Sequence, residues 1–308
     1  MILDIVMYHY VRPISKSRYP KIKGLELKSF QNQLDFFLKE KNLVGTDDVI
    51  DAVKKSKELP KDSVWLTFDD GYKDHLDYVV PILEQKGVDA AFFPVSDCYE
   101  NRSIMDVNKI HYILASVDND KSLMTHLVSE MEVEGLEKSD FHNLWNSTDK
   151  SSKYDDSEVV MFFKRLMQKN LPFELRQKIL NRMFENLVGR SEKEVSEELY
   201  MTKDDLISLN NKGFHIGSHT ASHVWLNSLT SVEQEKEITK SLDALRSIRK
   251  EVSNWIMCYP FGGYNDTTLS ILEKKGCALA LTTIVGAADL SCQHKFELKR
   301  WSTNDFTK

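Results

Sequence analysis

Val64-Trp65-Leu66-Thr67-Phe68-Asp69-Asp70-Gly71 is the stretch on which both the fold and the chemistry turn. Val64–Phe68 reads as a hydrophobic strand, and two aspartates and a glycine close it. Adjacent side chains on a regular strand point to opposite faces, so Asp69 and Asp70 share one pocket only where the strand turns into its loop. Gly71 permits that turn. Taken alone, the run also fits a solvated Asp-Asp-Gly turn.

Working outward, short β-branched or aromatic runs alternate with amphipathic segments. Upstream, Ile2–Tyr8 precedes a helical face made by Phe30, Leu34, Phe37 and Leu38. Downstream, Leu76, Val79, Val80 and Leu83 form a helix stopped by Gly87, with Pro81 expected to bend it or mark a turn. Ala90–Val95 is the next strand, and Phe214–Gly217 leads through a loop into Ser231–Arg249. There Ile238, Leu242, Leu245 and Ile248 share a face, and Thr230 with Glu233 offers a capping box. Trp255–Met257, a helix ending at Gly276, Ala278–Thr282 and Leu298–Trp301 complete the series. Strand and helix in alternation imply a parallel sheet, and about seven such strands suggest an α/β barrel. Two carboxylates at the carboxyl end of a barrel strand then stand where such folds place their active sites.

One region breaks the rhythm. Between about 100 and 200 no strand is evident; Val159–Gln168 and Phe173–Val188 are helical by period, and Gly189 is a stop. It reads as a helical insertion within a single barrel spanning 1–308, placed to narrow the pocket, close as a lid or form a subunit contact.

Composition excludes several classes. Of 308 residues, 41% are apolar and 29% charged, the balance of a globular chain with a sizeable core. No apolar run reaches the roughly 20 residues a membrane-spanning helix needs. The opening stretch carries Asp4 and lacks a basic leader, so a cytoplasmic protein is expected. A net charge of −6 without Lys/Arg blocks argues against a nucleic-acid partner. Cys98, Cys258, Cys277 and Cys292 lack the close pairing of a zinc ribbon or redox dithiol and read as free thiols.

The second chemical signal is His219-Thr220-Ala221-Ser222-His223, again just after a strand. Histidines four apart can present two nitrogens to one metal, and an added Asp makes a three-ligand set that leaves a position open for water.

Thr67–Gly71, His219–His223 and Tyr259-Pro260-Phe261-Gly262 together resemble, in order and place, the motifs of the polysaccharide deacetylases, carbohydrate esterase family 4. The resemblance implies a distorted (β/α) barrel. It makes Asp69 the general base, Asp70 the carboxylate ligand, and His219 and His223 the imidazole ligands of a divalent metal, with Zn2+ favoured. It also places the Pro260–Phe261 segment at the groove wall, where a backbone N–H helps hold an oxyanion. The chemistry agrees: an amide carbonyl is a poor electrophile, and a bound metal both acidifies water and polarises the carbonyl. The implied activity is removal of an N-acetyl group from an amino sugar in surface-polysaccharide biosynthesis, by Asp69-assisted attack of that water. With no export signal evident, a cytosolic precursor is the expected substrate. Hydrolysis of another linear amide or an O-acetyl ester, or non-catalytic glycan binding, are the alternatives.

The family often carries an arginine two residues before the motif's proline to orient the base; here that position is Cys258. Arg300, on the last strand, is the candidate replacement. The family's Leu-x-His acid is not recognisable, which leaves His9, His215 and His294 as rival general acids. Trp225, Tyr259, Tyr264 and Trp301 are candidates to stack on sugar rings.

Overall fold

The computed structural model of the chain describes every residue except 55, 56, 153, 154, 307 and 308. Besides two short strands off its main path, Asn42–Leu43 and, antiparallel to the first strand, Ala288–Asp289, one sheet contains seven strands: β1 Ile2–Tyr8, β2 Ser63–Asp70, β3 Ala91–Pro94, β4 His215–Ile216, β5 Ile256–Cys258, β6 Leu279–Val285 and β7 Leu298–Ser302. Their order is β4-β3-β2-β1-β7-β6-β5, parallel throughout. The curled sheet is the barrel the alternation suggested, in the distorted (β/α) form the resemblance implied. Just beyond β4, Ser218 bridges Met257 of β5, so the two outer strands of the series meet. Gly217 makes that approach possible: a Cβ there would stand 2.5 Å from the Phe93 ring and 2.9 Å from the Ile256 carbonyl.

All residues of β2 are buried, as expected of a strand covered on both faces. The sheet ladder runs through both aspartates, Asp69 opposite Phe93 and Asp70 opposite Pro94. The turn anticipated after Phe68 therefore falls one residue later than the alternation suggests, at Asp70, whose φ of 73° is left-handed. Gly71 follows at φ 70°, and a Cβ on it would strike Pro94 at 2.7 Å.

The helices obey their local signals. Thr230 and Glu233 form the capping box of Ser231–Arg246, and Ile238, Leu242 and Leu245 are buried beneath it. Gly87 ends Val80–Lys86 in the left-handed region. Pro81 lies in the first turn of that α-segment, and the irregularity falls just before it, in a π-helical turn at His75–Val79 that runs straight into the helix. On Leu27–Glu40, Phe30, Leu34 and Phe37 are buried, but Leu38 is 42% exposed, because it lies too far round the helix to join them.

The described chain divides into two compact units. Met1–Pro13, Gly24–Ser103 and Ser196–Lys308 form the unit that carries the barrel. Ile14–Lys23 and Ile104–Val195 form the other, which is helical. Its core includes Ile110, Ile113, Leu127, Phe162, Ile179 and Phe184. Lys109, buried, is neutralised by Glu192 at 2.6 Å and also donates to the Asn181 side-chain oxygen at 2.7 Å. Ile14–Lys23 carries no signal that sets it apart from the barrel segments, yet it packs with the helices: Tyr19 meets Tyr112 edge-on at 4.7 Å and Lys21 donates to the Val117 carbonyl at 2.8 Å. No helix among the described residues is long and apolar enough to cross a membrane.

Candidate active site

Because the strands are parallel, their carboxyl ends share one rim. Asp69 and Asp70 end β2, His9 follows β1, His219–His223 follows β4, and Cys258–Phe261 ends β5. Asp70, His219 and His223 present ligand atoms all within 4.8 Å of one another. The Asp70 Oδ1 atom lies 3.5 Å from the Nε2 of each imidazole.

Those distances bear on what the cluster can hold. Ligand atoms about 2.0–2.1 Å from one tetrahedral centre stand about 3.3–3.4 Å apart, so each Asp70–His separation is close to that of first-row metal ligands, and the two imidazoles lie within 4.8 Å of each other. Oδ1 is buried without a hydrogen-bond partner among the described residues, a costly state for a carboxylate oxygen unless a cation completes it. His219 Nδ1 is 2.9 Å from the Cys258 carbonyl, which fixes its proton there and frees Nε2 to coordinate. The residues fit a divalent metal.

Electrostatics separate the two imidazoles. Burial lowers both; on His223 it prevails and holds the group at about 3, the neutral form a metal requires. On His219 the neighbouring Asp70 and Asp69 carboxylates outweigh burial and raise it. Burial would raise Asp70, yet the imidazoles of His219, His9 and His223 around it hold it far below the usual carboxylate range.

Asp69 is held quite differently. Arg300 donates from one terminal nitrogen to Oδ1 at 2.9 Å and from the other to Oδ2 at 2.8 Å, a two-pronged pair with both side chains 1% exposed. The Arg300 Nε donates to the Thr282 carbonyl at 2.9 Å, which fixes the plane of the guanidinium. The Cys258 thiol donates to Oδ1 at 3.2 Å. Burial works against the charge on Asp69, but Arg300 and His219 overcome it and hold the carboxyl at about 2. Arg300, named from the sequence as a replacement arginine, thus lies directly on Asp69, and Cys258 at the expected arginine's own position touches the same carboxylate.

The three rival histidines separate. His9, 44% exposed at the rim, has Nε2 4.0 Å from Asp69 Oδ2. His215 instead contacts Arg249 at 3.2 Å and is pushed down to about 3, chiefly by burial. His294 stacks edge-on against Phe296 and accepts that residue's N–H.

The aromatics separate as well. Phe261 stands between His223, 4.6 Å away and edge-on, and Trp225, 4.8 Å away and nearly parallel. Pro260, buried, opens the 3-10 turn that carries Phe261. Tyr259 is fully buried and donates its hydroxyl to the Phe296 carbonyl at 3.0 Å, so its side chain packs the core instead of facing a groove. Tyr264 stacks on Tyr259 and donates to Glu297 at 2.8 Å. Trp301 alternates away from Arg300 along β7, and its indole N–H is held by Asp4 at 2.9 Å.

Four non-glycine residues with left-handed backbone lie in this cluster: Asp70 at φ 73°, Thr220 at 65°, His223 at 57° and Phe261 at 56°. Each costs free energy that the surrounding structure must supply, a pattern that concentrates at functional sites. At His223 the support is visible: its N–H donates to the Thr220 hydroxyl at 3.0 Å. Sequence reading passed over His75, a fully buried neighbour of this site whose Nε2 is 2.7 Å from the His9 carbonyl. No periodicity or spacing marks it.

The polysaccharide deacetylase family model matches residues 56–170 and 175–280. The chain belongs to the polysaccharide deacetylase family. Asp69, Asp70, His219, His223 and Cys258–Phe261 lie within the matched segments, whereas His9 and Arg300 lie outside them. YxkH of Bacillus subtilis, which carries a polysaccharide deacetylase name, is 32% identical over 102 residues, 33% of this chain and 35% of that protein. The match thus spans about a third of the curated relative. Among solved structures, the Streptococcus pyogenes deacetylase PplD in complex with acetate aligns with a TM-score of 0.60 at 17% identity, covering 98% of this chain and 92% of that one. A de-N-acetylase from Aggregatibacter actinomycetemcomitans aligns at 0.56 and 15% identity, covering 100% and 97%. At these identities the two structures establish a shared fold.

Proposed function

We propose that this chain is a metal-dependent carbohydrate deacetylase that removes an N-acetyl group from an amino sugar in surface-glycan biosynthesis. The observation that carries the reading is the orphaned Asp70 Oδ1 facing two imidazole nitrogens, with a second, arginine-clamped carboxylate next to it. Asp70, His219 and His223 would hold the metal, and Zn2+ suits their donor set. When bound, the cation acidifies water and polarises the acetyl carbonyl.

The remaining work belongs to the chain. Asp69 stays ionised at neutral pH and accepts the proton of the attacking water. Oδ2 is the working oxygen: Oδ1 accepts from both Arg300 and Cys258, while Oδ2 accepts from Arg300 and faces His9. Arg300 orients the carboxylate without touching substrate. The water oxygen bonds to the carbonyl carbon, and the Phe261 N–H helps hold the resulting oxyanion. His9 Nε2, at the open rim, then delivers a proton to the nitrogen as the C–N bond breaks, releasing acetate and a free amine. Trp225 and Phe261 form the apolar wall along which a sugar ring lies.

The test pairs elemental analysis with acetate release from a panel of N- and O-acetylated sugars, including lipid- and nucleotide-linked ones. Wild type should bind metal and release acetate. Asp69→Asn should hold metal with nearly all turnover lost. Fully metallated wild type that releases no acetate from any substrate would overturn the assignment.

A further inference from the structure

The ladder between β1 and β2 ends at Tyr8 opposite Phe68, one residue short of His9. The His9 carbonyl therefore lies beyond the sheet, and the adjoining strand does not fix the backbone that carries this ring. The next carbonyl, that of Tyr10, accepts from Leu25 N–H at 2.9 Å, and the bond to the His9 carbonyl itself comes from another element. His75, at the start of the π-helical turn His75–Val79, has its Nε2 2.7 Å from the His9 oxygen. A carbonyl only accepts, so Nε2 is the donor.

His75 is built for that one contact. It is fully buried, edge-on to Phe68 at 5.2 Å and to Tyr72 at 5.7 Å. Its other nitrogen, Nδ1, is buried with no hydrogen-bond partner among the described residues. A phenylalanine would fill the same space without leaving a polar atom unsatisfied, so the imidazole is justified by its Nε2–H. Burial pushes the ring down to about 4 against the pull of the His9 carbonyl, so at neutral pH it carries one proton. With no acceptor at Nδ1, that proton sits on Nε2.

His75 is also tied to the catalytic strand. Its N–H donates to the Tyr72 carbonyl at 3.0 Å, two residues beyond Asp70, and its ring packs on Phe68, next to Asp69. The element that ends in the aspartates thus reaches back to hold the residue that faces them. We propose that His75 is a positioning residue: by donating to the His9 carbonyl it sets the His9 imidazole against the Asp69 carboxylate.

This inference rests on the reading of His9 as the proton donor, and its test separates the two. Four proteins are compared, each with metal content and thermal unfolding checked: wild type, His75→Phe, His75→Gln and His75→Asn. A glutamine amide can place its N–H where Nε2 stood, whereas asparagine is too short. Expected are a fall in kcat of about tenfold or more with KM within about twofold in the Phe and Asn variants, as misplacement of a reacting group would give, and recovery of most of it with Gln. A second readout needs no turnover: the rate at which diethyl pyrocarbonate modifies His9, read by peptide mass spectrometry, should change in Phe and Asn and return towards wild type in Gln. The Gln and Asn pair keeps the test decisive should the Phe variant fail to fold. If wild type releases no acetate but His9 reactivity follows this pattern, the proposed function falls and the positioning role stands. If His9 reactivity and kcat are the same in Gln and Asn as in wild type, the inference is overturned.

Discussion

The Asp69–Arg300 pair makes a quantitative prediction about stability that needs no substrate. Both side chains are 1% exposed, and two charge-assisted hydrogen bonds of 2.9 and 2.8 Å join them. Arg300→Met removes one partner and leaves the Asp69 carboxylate buried without its cation. Breaking a buried pair in this way costs about 3–5 kcal/mol, more than the intact pair contributes, since desolvation offsets much of its attraction. Asp69→Leu, which strands the guanidinium, should cost a similar amount, softened by the Thr282 carbonyl that Arg300 Nε retains. The double variant Arg300→Met/Asp69→Leu should recover much of the loss, because two apolar side chains of comparable size then replace two charges. The assay is urea unfolding in chelator at neutral pH, so that a bound cation does not mask the differences, with the four proteins arranged as a double-mutant cycle. A coupling of about 2 kcal/mol or more is expected. Arg300→Met within about 1 kcal/mol of wild type, or simple additivity in the double variant, would mean that Asp69 does not depend on Arg300, and the orienting role would go with it.

Three further outcomes follow from the geometry. Zn2+ at about a hundred times its dissociation constant should stabilise the wild type by about 2.7 kcal/mol, raising its melting temperature, whereas Asp70→Asn or His223→Ala should lose most of that increment; an equal increment in the variants would place the metal elsewhere. Gly217→Ala drives a methyl group into the Phe93 ring and the Ile256 carbonyl and should destabilise by about 1–3 kcal/mol in chemical denaturation, whereas a loss under about 0.3 kcal/mol would show that the strands do not need this close approach. His215, held at about 3 against an ordinary value of 6.5, stays neutral in the fold while the unfolded chain takes up its proton, so stability falls as pH drops below about 6.5. His215→Gln should flatten the slope of stability against pH between 6 and 4 by up to about 1.4 kcal/mol per unit, and an unchanged slope would contradict the assigned burial effect.

What the sequence revealed was local. Helix caps, glycine stops and strand runs are set by neighbours a few residues apart, so Thr230 with Glu233, Gly87 and Val64–Phe68 could be read directly. The cluster of Asp70, His219 and His223 could be anticipated because each of its motifs is a short string. Arg300 could be named, but nothing within the chain's own pattern links it to a carboxylate 231 positions away; that pairing is a product of the β1–β7 and β1–β2 ladders. The same limit left His9, His215 and His294 equivalent, since all that distinguishes them is where their rings lie. Trp301 was decidable in principle: once Arg300 points to Asp69, strand alternation sends the next side chain the other way. Leu38 shows the converse, an apolar residue near a helical stripe that is not part of it.

The seam beside β4 gives the metal cluster a mechanical meaning. Among the described residues, three hydrogen bonds cross it: Ser218 N–H to the Ile256 carbonyl, Cys258 N–H to the Ser218 carbonyl, and His219 Nδ1–H to the Cys258 carbonyl. The last of these belongs to an imidazole whose other nitrogen faces Asp70, on the second strand along from β4. A cation gripped by His219 and Asp70 would act as a rivet through the barrel wall, pinning β4's loop to β2 while the same ring stays latched to β5. Closure of the barrel and readiness of its chemistry would then be one cooperative event, visible as slower hydrogen exchange at the Ser218 and Cys258 amides when metal is added.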